Sequence, residues 1–258
     1  MSLARVLVAT HKQYEFPDDS LYAPIQVGVA RGESDFGYLV DDKGDNISLK
    51  NESYCELTAL YWAWKNGSID EYKYIGLVHY RRYFAGDLSF GEAGILESEA
   101  IKQILLAHDI IVPKRRNYYL QSVYSHYSHA HYEEDLQRLR EVIAELSPPY
   151  VHAFDAIMKQ RSLHLYNMFV MPSRLFVQYC EWLFPILFAL EERIDISKRN
   201  AYQKRVFGFL GERLFNVWIL HHRYRVLELD IVNIEGENLF VKGLGMIGRL
   251  LTGKRRDS

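Results

Sequence analysis

Tyr74-Ile75-Gly76-Leu77-Val78-His79-Tyr80-Arg81-Arg82-Tyr83-Phe84 changes character at a single residue. Ile75, Leu77 and Val78 form a short apolar run that predicts a buried strand. His79, Tyr80, Arg81, Arg82 and Tyr83 then put an imidazole, two phenols and two fixed cations at its carboxyl end. Ligands of open α/β sheets bind where strands end. Adjacent guanidinium groups there suit an oxyanion such as phosphate, because they stay charged and bind in a bidentate fork. A second reading is equally local: one arginine pairs with a core carboxylate and the other lies on the surface.

Outward from this strand, strand and helix patterns alternate. Asn51–Lys65 reads as a helix, with Leu57, Leu60, Tyr61 and Trp64 on one face, a Ser53/Glu56 capping box and Asn66-Gly67 as its stop. Arg5–Thr10 reads as a first buried strand ending in Thr10-His11-Lys12, and Ile25–Ala30 as a second; Gly32–Asn46 reads as a surface loop. After the opening stretch, Gly86–Gly94 is expected as a loop, Ser98–Ala107 as a helix and Asp109–Pro113 as another buried strand. That strand also ends in charge, Lys114-Arg115-Arg116-Asn117, and two basic strand ends at one sheet edge would frame one anionic site. A solvated loop would look the same locally.

Tyr118–Tyr132 is dense in rings. His126, His129 and His131 lack the i, i+4 spacing of a zinc-protease helix and have no cysteine or acidic ligand placed beside them, so no metal site is assigned. The favoured reading is a binding loop or helix start in which imidazoles such as His126 and His129 hydrogen-bond hydroxyls. Glu133–Leu146 and Tyr150–Lys159 read as helices, and Leu163–Met171 as a strand carrying Asn167, whose amide must bond to backbone or ligand. A helix is expected over Ser173–Ile194, bent at Pro185. In Gln203–His222 a helix is expected over Leu214–Leu220, with Glu212 in its first turn. The helix dipole there would keep Glu212 ionised and suited to general-base work; a capping carboxylate paired to Arg213 is the plainer alternative. Arg225–Val232 closes the sheet.

The chain has 258 residues and a net charge of −2, which gives no general attraction to nucleic acid. Cys55 and Cys180 are its only cysteines, so a disulfide framework is excluded and buried free thiols are expected. No signal peptide or membrane-spanning run is seen, and a cytoplasmic location is expected. The 19 tyrosines, against 13 Phe and 4 Trp, suit sugar rings and nucleobases or simply a half-wet core. Residues 1–240 read as one domain and 241–258 as a basic amphipathic tail. Leu244, Met246, Ile247, Leu250 and Leu251 precede Lys254-Arg255-Arg256 there, which fits a helix on the inner face of the cell membrane or one packed on the domain.

Taken together, the Ala9–Lys12, Ile47–Asn51, Tyr54–Asn66, Tyr74–Phe84, Asp109–Asn117, Leu163–Met171 and Arg205–Trp218 stretches resemble one family of bacterial glycosyltransferases of capsule, exopolysaccharide and lipopolysaccharide clusters. The resemblance runs from about Arg5 to about Ile234. It implies an α/β, GT-A-like single domain with a mostly parallel central sheet flanked by helices. It also implies a nucleotide-sugar donor, UDP-linked and in some members UDP-galactofuranose, and a saccharide acceptor on a lipid pyrophosphate. On that template Thr10, His11 and Lys12 line the nucleotide pocket, Asn167 faces the acceptor, and Glu212, beside Arg213, is the catalytic base of an inverting transfer. The family fold often carries Asp-x-Asp, holding Mn or Mg, on the strand matching Tyr74–Phe84. This chain has His79-Tyr80-Arg81-Arg82 instead, so either a Mn or Mg ion is held elsewhere, or Arg81 and Arg82, with Lys114, stabilise the diphosphate in its place; the second is the favoured expectation. The alternative is a non-catalytic nucleotide- or saccharide-binding component of an assembly complex.

Overall fold

The computed structural model describes residues 2–32, 34–67 and 69–234; the expected tail over 241–258 lies outside the described residues. The strands are β1 (Ser2–Thr10), β2 (Tyr22–Gln26), β3 (Leu39–Val40), β4 (Tyr72–His79), β5 (Arg82–Phe90), β6 (Ala93–Ile95), β7 (Ile110–Pro113), β8 (Arg116–Asn117), β9 (Ser162–Leu163), β10 (Phe169–Pro172), β11 (Val226–Leu229) and β12 (Ile231–Asn233). The helices are α1 (Asn51–Tyr54), α2 (Leu57–Asn66), α3 (Ser98–Ala107), α4 (Val123–Ala130), α5 (Glu133–Leu146), α6 (Val151–Lys159), α7 (Ser173–Glu191), α8 (Ala201–Lys204) and α9 (Val206–His222).

Period-two alternation along the strands sorts their side chains into two cores. Leu7, Ala9, Ile75, Leu77, Phe169 and Met171 join the core made with α2, α7 and α9. Val6, Val8, Tyr74, Val78, Ile111 and Val170 point the other way, into a smaller core closed by Ile101 of α3 and by Tyr83 and Phe84 of β5. The sheet is therefore covered on both faces, which is what short apolar strands without polar alternation require. Helix α9 is apolar on nearly every side and correspondingly buried along most of its length.

The sheet is mixed: its central path is mostly parallel, with one strand reversed. Along the order β11-β7-β10-β4-β1-β2-β3, β10 runs antiparallel to both β4 and β7 while its neighbours beyond are parallel. The chain enters β10 at the edge where β4 ends, since Phe169 faces Leu77 and Pro172 faces Tyr74, so it must run back. The Gly86–Gly94 loop expectation also fails: β5 extends through Phe90 and pairs with β6. The single closing strand divides at Asp230, with β11 pairing β7 and β12 pairing β5. The Asn51–Lys65 helix is interrupted at Cys55, and Leu163–Met171 is interrupted by a turn at Tyr166 and Asn167. Both interruptions lie at the same edge of the sheet as His79. No helix among the described residues is long and apolar enough to cross a membrane.

Candidate functional site

Parallel strands β1 and β4 end side by side, Ala9 opposite His79. Beyond β1, the Thr10 hydroxyl turns back on its own loop, donating to the Lys12 carbonyl at 2.7 Å. His11 meets the Tyr80 ring edge-on at 5.4 Å, and the Lys12 ammonium lies 5.0 Å from the same ring centre. Tyr80 and Arg81 form the tip of the β4–β5 hairpin, closed by pairing of His79 with Arg82. The Arg81 guanidinium lies 5.3 Å from the Tyr80 ring centre and that of Arg82 4.9 Å from the Tyr166 ring centre, contacts that orient both cations.

The opposite wall comes from the two interruptions and from α9. Cys55, at φ 53° and ψ −131°, ends α1 and redirects the chain into α2. The Asn51 side-chain amide holds this break by donating to the Cys55 carbonyl at 2.8 Å. Glu56 consequently forms no capping box; its Oε1 accepts from Asn167 Nδ2 at 2.6 Å. Tyr166 and Asn167, at φ 75° and 52°, make a left-handed turn against α9 rather than a stretch of strand. The turn can approach because Gly211 lacks a side chain: a Cβ there would lie 3.2 Å from Asn167 Oδ1 and 2.9 Å from Leu57, while Gly208 makes room for Cys55 instead. The Tyr166 N–H donates to Glu212 Oε1 at 2.7 Å, and the Tyr166 carbonyl accepts from His79 Nε2 at 2.6 Å. Since a carbonyl can only accept, the His79 proton sits on Nε2.

These walls enclose a cavity of about 490 Å³, within the range of small-molecule sites. Of the expected residues, Thr10, His11, His79, Tyr80, Arg81, Arg82 and Glu212 line it, and Asn167 stands directly behind Glu56. Arg213 lies beneath, donating from Nη1 to Glu212 Oε2 at 2.9 Å and to the Phe209 carbonyl at 2.7 Å. Lys12 is outside the lining, on the far side of Tyr80.

The second basic cluster does not converge here. Lys114 pairs with Asp230 at 3.3 Å, Arg115 with Glu228 at 3.3 Å, and Asn117 Oδ1 accepts from the Tyr119 N–H at 2.7 Å. His126 stacks on Tyr118 at 4.0 Å between ring centres, and His129 Nδ1 meets Gln121 at 2.8 Å, so neither imidazole lines the cavity. Glu56, Cys55, Arg31, Tyr166 and Arg205 do line it and were not anticipated. In the sequence Glu56 reads as part of a helix cap, and nothing local marks Arg31, which reaches the cavity from a short turn. That turn is pinned by Asp41, a buried carboxylate accepting the Gly28 N–H at 2.9 Å.

The electrostatics of Glu212 differ from the expectation. Helix α9 starts at Val206, so Glu212 lies beyond its first turn and the helix dipole does not hold it ionised. Burial instead pushes its carboxyl up; the Arg213 guanidinium and the Tyr166 N–H oppose this, and the Glu56 charge adds to it. Burial likewise holds the His79 imidazole below its ordinary value, against the pull of Glu56 and the Tyr166 carbonyl. The Cys55 thiol is pushed up to about 12, chiefly by burial, and is inert at neutral pH. Among the described residues no cluster of three or more His, Cys, Asp or Glu side chains is arranged to hold a metal ion.

A charge-lined cavity at the strand-end edge of a helix-covered mixed sheet defines an α/β domain built to hold a polar small molecule. The chain belongs to the DUF4422 family, a domain of unknown function whose profile matches residues 5–223. Its fold also matches the solved apo structure of WbbM, a bifunctional glycosyltransferase, with a TM-score of 0.82 and 33% sequence identity. The match covers 92% of this chain and 46% of that one, so the chain spans about half the length of WbbM. No curated protein matches the chain.

Proposed function

We propose that this domain is a glycosyltransferase that moves a sugar from a nucleotide donor to a hydroxyl of a saccharide acceptor. The observation that carries this reading is the pairing, across one cavity, of Arg81 and Arg82 of the β4–β5 hairpin with the half-buried Glu212 carboxylate, in a fold shared with a glycosyltransferase. Leaving-group charge and acceptor deprotonation are the two demands of sugar transfer, and the two walls supply a group for each.

In the proposed reaction Arg81 and Arg82 bind the donor diphosphate and Glu212 faces the acceptor hydroxyl. The hydroxyl oxygen attacks the anomeric carbon as its proton passes to Glu212. The bond from that carbon to the diphosphate oxygen breaks, and the nucleoside diphosphate leaves with the electron pair, its added charge met by the arginines. Direct displacement inverts the anomeric centre. A carboxylate whose proton affinity is raised by burial is a stronger base than one in water, which favours this role for Glu212. We further infer a UDP-linked donor, with UDP-galactofuranose the first to test, and an acceptor carried on a lipid pyrophosphate in surface-polysaccharide assembly.

The test is release of UDP from a panel of UDP-sugars, with and without alkyl glycosides as acceptors. Turnover by the wild type and a loss of about a hundredfold or more in Glu212→Gln are expected. Donor binding with no turnover under any condition would make the domain a non-catalytic binding component instead.

A further inference from the structure

Glu52 and Glu56 share this cavity with Glu212; Glu52 is paired with Lys204 at 3.4 Å, and the other two are held differently from each other. Both oxygens of Glu212 are engaged, by the Tyr166 N–H and by Arg213. Glu56 receives a single hydrogen bond, on Oε1 from Asn167, and its Oε2 has no hydrogen-bond partner among the described residues. The geometry points to Glu56 as a second substrate-touching carboxylate, whose Oε2 accepts a sugar hydroxyl and whose orientation is set by Asn167. This rests on the sugar-transfer reading of the cavity and adds to it a residue that binds sugar rather than diphosphate.

Three observations support the assignment. First, the Asn167 side chain is 2% exposed and donates both to Glu56 and to the Gly208 carbonyl at 3.1 Å, leaving its own Oδ1 buried without a partner. Both neighbours of its nitrogen only accept, so the amide cannot be turned round to relieve this. A buried oxygen left unpaired is destabilising, and here the arrangement serves to hold Glu56. Second, the backbone is strained at the same place. Among the described residues five non-glycines have positive φ, and Cys55, Tyr166 and Asn167 are three of them, one adjoining Glu56 and two in the turn that clamps it. Such strain persists where the surrounding structure needs a particular geometry, and it clusters at functional sites. Third, Glu56 lines the cavity beside His79 and Glu212, and its charge acts on both.

Glu56→Gln is a sharp probe, because the amide oxygen can still accept from Asn167 while Oε2 becomes an N–H donor. Calorimetric binding of UDP and of UDP-sugars, donor hydrolysis, and transfer to alkyl glycosides would be measured on wild type and variant. UDP affinity should stay within twofold. If the hydroxyl belongs to the donor, affinity for the UDP-sugar falls about tenfold or more. If it belongs to the acceptor, donor affinity and hydrolysis hold while the KM for the glycoside rises by a similar factor. Asn167→Ala should reproduce whichever loss is seen, through KM, as a positioning residue would. Should Glu56→Gln fail to fold, Glu56→Asp keeps the charge but withdraws it, with the same losses expected. A folded variant that binds, hydrolyses and transfers within twofold of wild type overturns the role of Glu56 alone. A wild type that binds no UDP-sugar overturns the sugar-transfer reading and this inference with it.

Discussion

Two stretches of this chain are similarly loaded with cations, imidazoles and phenols: 79–83 and 114–132. Tertiary structure puts them to opposite uses. In the first, Arg81 and Arg82 lie against aromatic rings and face a cavity. In the second, the cations meet carboxylates and the imidazoles meet neighbouring rings and amides: Lys114 with Asp230, Arg115 with Glu228, His126 on Tyr118, and His131 Nδ1 3.0 Å from Gln203 Oε1. The difference shows that polar density alone does not mark a binding site. What distinguishes the first stretch is that His79, Tyr80, Arg81 and Arg82 line one shared cavity, whereas Lys114 and Arg115 of the second meet carboxylates of β11 and the residue that follows it.

The sharpest way to break this comparison is to disturb the second region where it is best anchored. Arg199, 9% exposed, reaches Asp135 at the start of α5 at 2.7 Å, and Asp135 also accepts from the Tyr127 hydroxyl at 3.2 Å. Arg199→Ala leaves a buried carboxylate without its cation and should cost about 3–5 kcal/mol in urea unfolding, with UDP affinity unchanged in the folded protein. A large loss of UDP affinity at unaltered stability would place this region in the site after all.

The next effect belongs to the first region. Arg82→Ala should weaken UDP binding by about 2 kcal/mol, roughly thirtyfold, as expected for a hydrogen bond to a charged group. Lys114→Ala should leave it within twofold. Equal losses in titrations of both variants would show that the two basic clusters act together.

Acid should affect the second region through its buried rings. Burial pushes His131 down to about 3 and His164 down to about 4. Below about pH 6.5 the unfolded chain takes up protons that the folded chain excludes from these rings. Stability should therefore fall with falling pH, by about 1.4 kcal/mol per pH unit per ring, until His164 protonates near pH 4 and His131 near pH 3. His79, also lowered, acts in the same sense, whereas Glu212, raised, acts in the opposite one. Thermal unfolding at pH 7 and pH 5.5 checks this, and a flat profile would mean that the rings are hydrated. The smallest expected effect is that of a chelator: with arginines meeting the diphosphate, UDP release should be unchanged by EDTA. Restoration of lost activity by manganese would overturn that expectation.

Much of the frame was legible because its signals are local. Helices α3 and α5 have the expected bounds, since each carries an apolar stripe at helical spacing. The buried strand at Ile75–Val78 and the polar turn at its carboxyl end could be read from one run of residues. The capping-box expectation at Ser53 and Glu56 failed because Asn167, 111 residues from Glu56, competes for that carboxylate. The strand expected through Asn167 failed for a related reason. Side-chain-free approach at Gly211, and the hydrogen bonds of Glu212 and His79, draw Tyr166 and Asn167 into a left-handed turn.

By itself, then, the sequence determined the alternation of strands and helices, the two-faced burial of the sheet, and the placing of His79–Arg82 where β4 ends. Those features rest on hydrophobic periodicity, which acts between residues close along the chain. Only the tertiary structure decided that β10 runs backwards, that Lys114 and Arg115 pair with Asp230 and Glu228, and that Glu56, Asn167 and Glu212 meet at one cavity. Each of these depends on which polar groups, distant in sequence, find partners once water is excluded, and a carboxylate or guanidinium looks the same in the chain whether it faces a partner or a ligand.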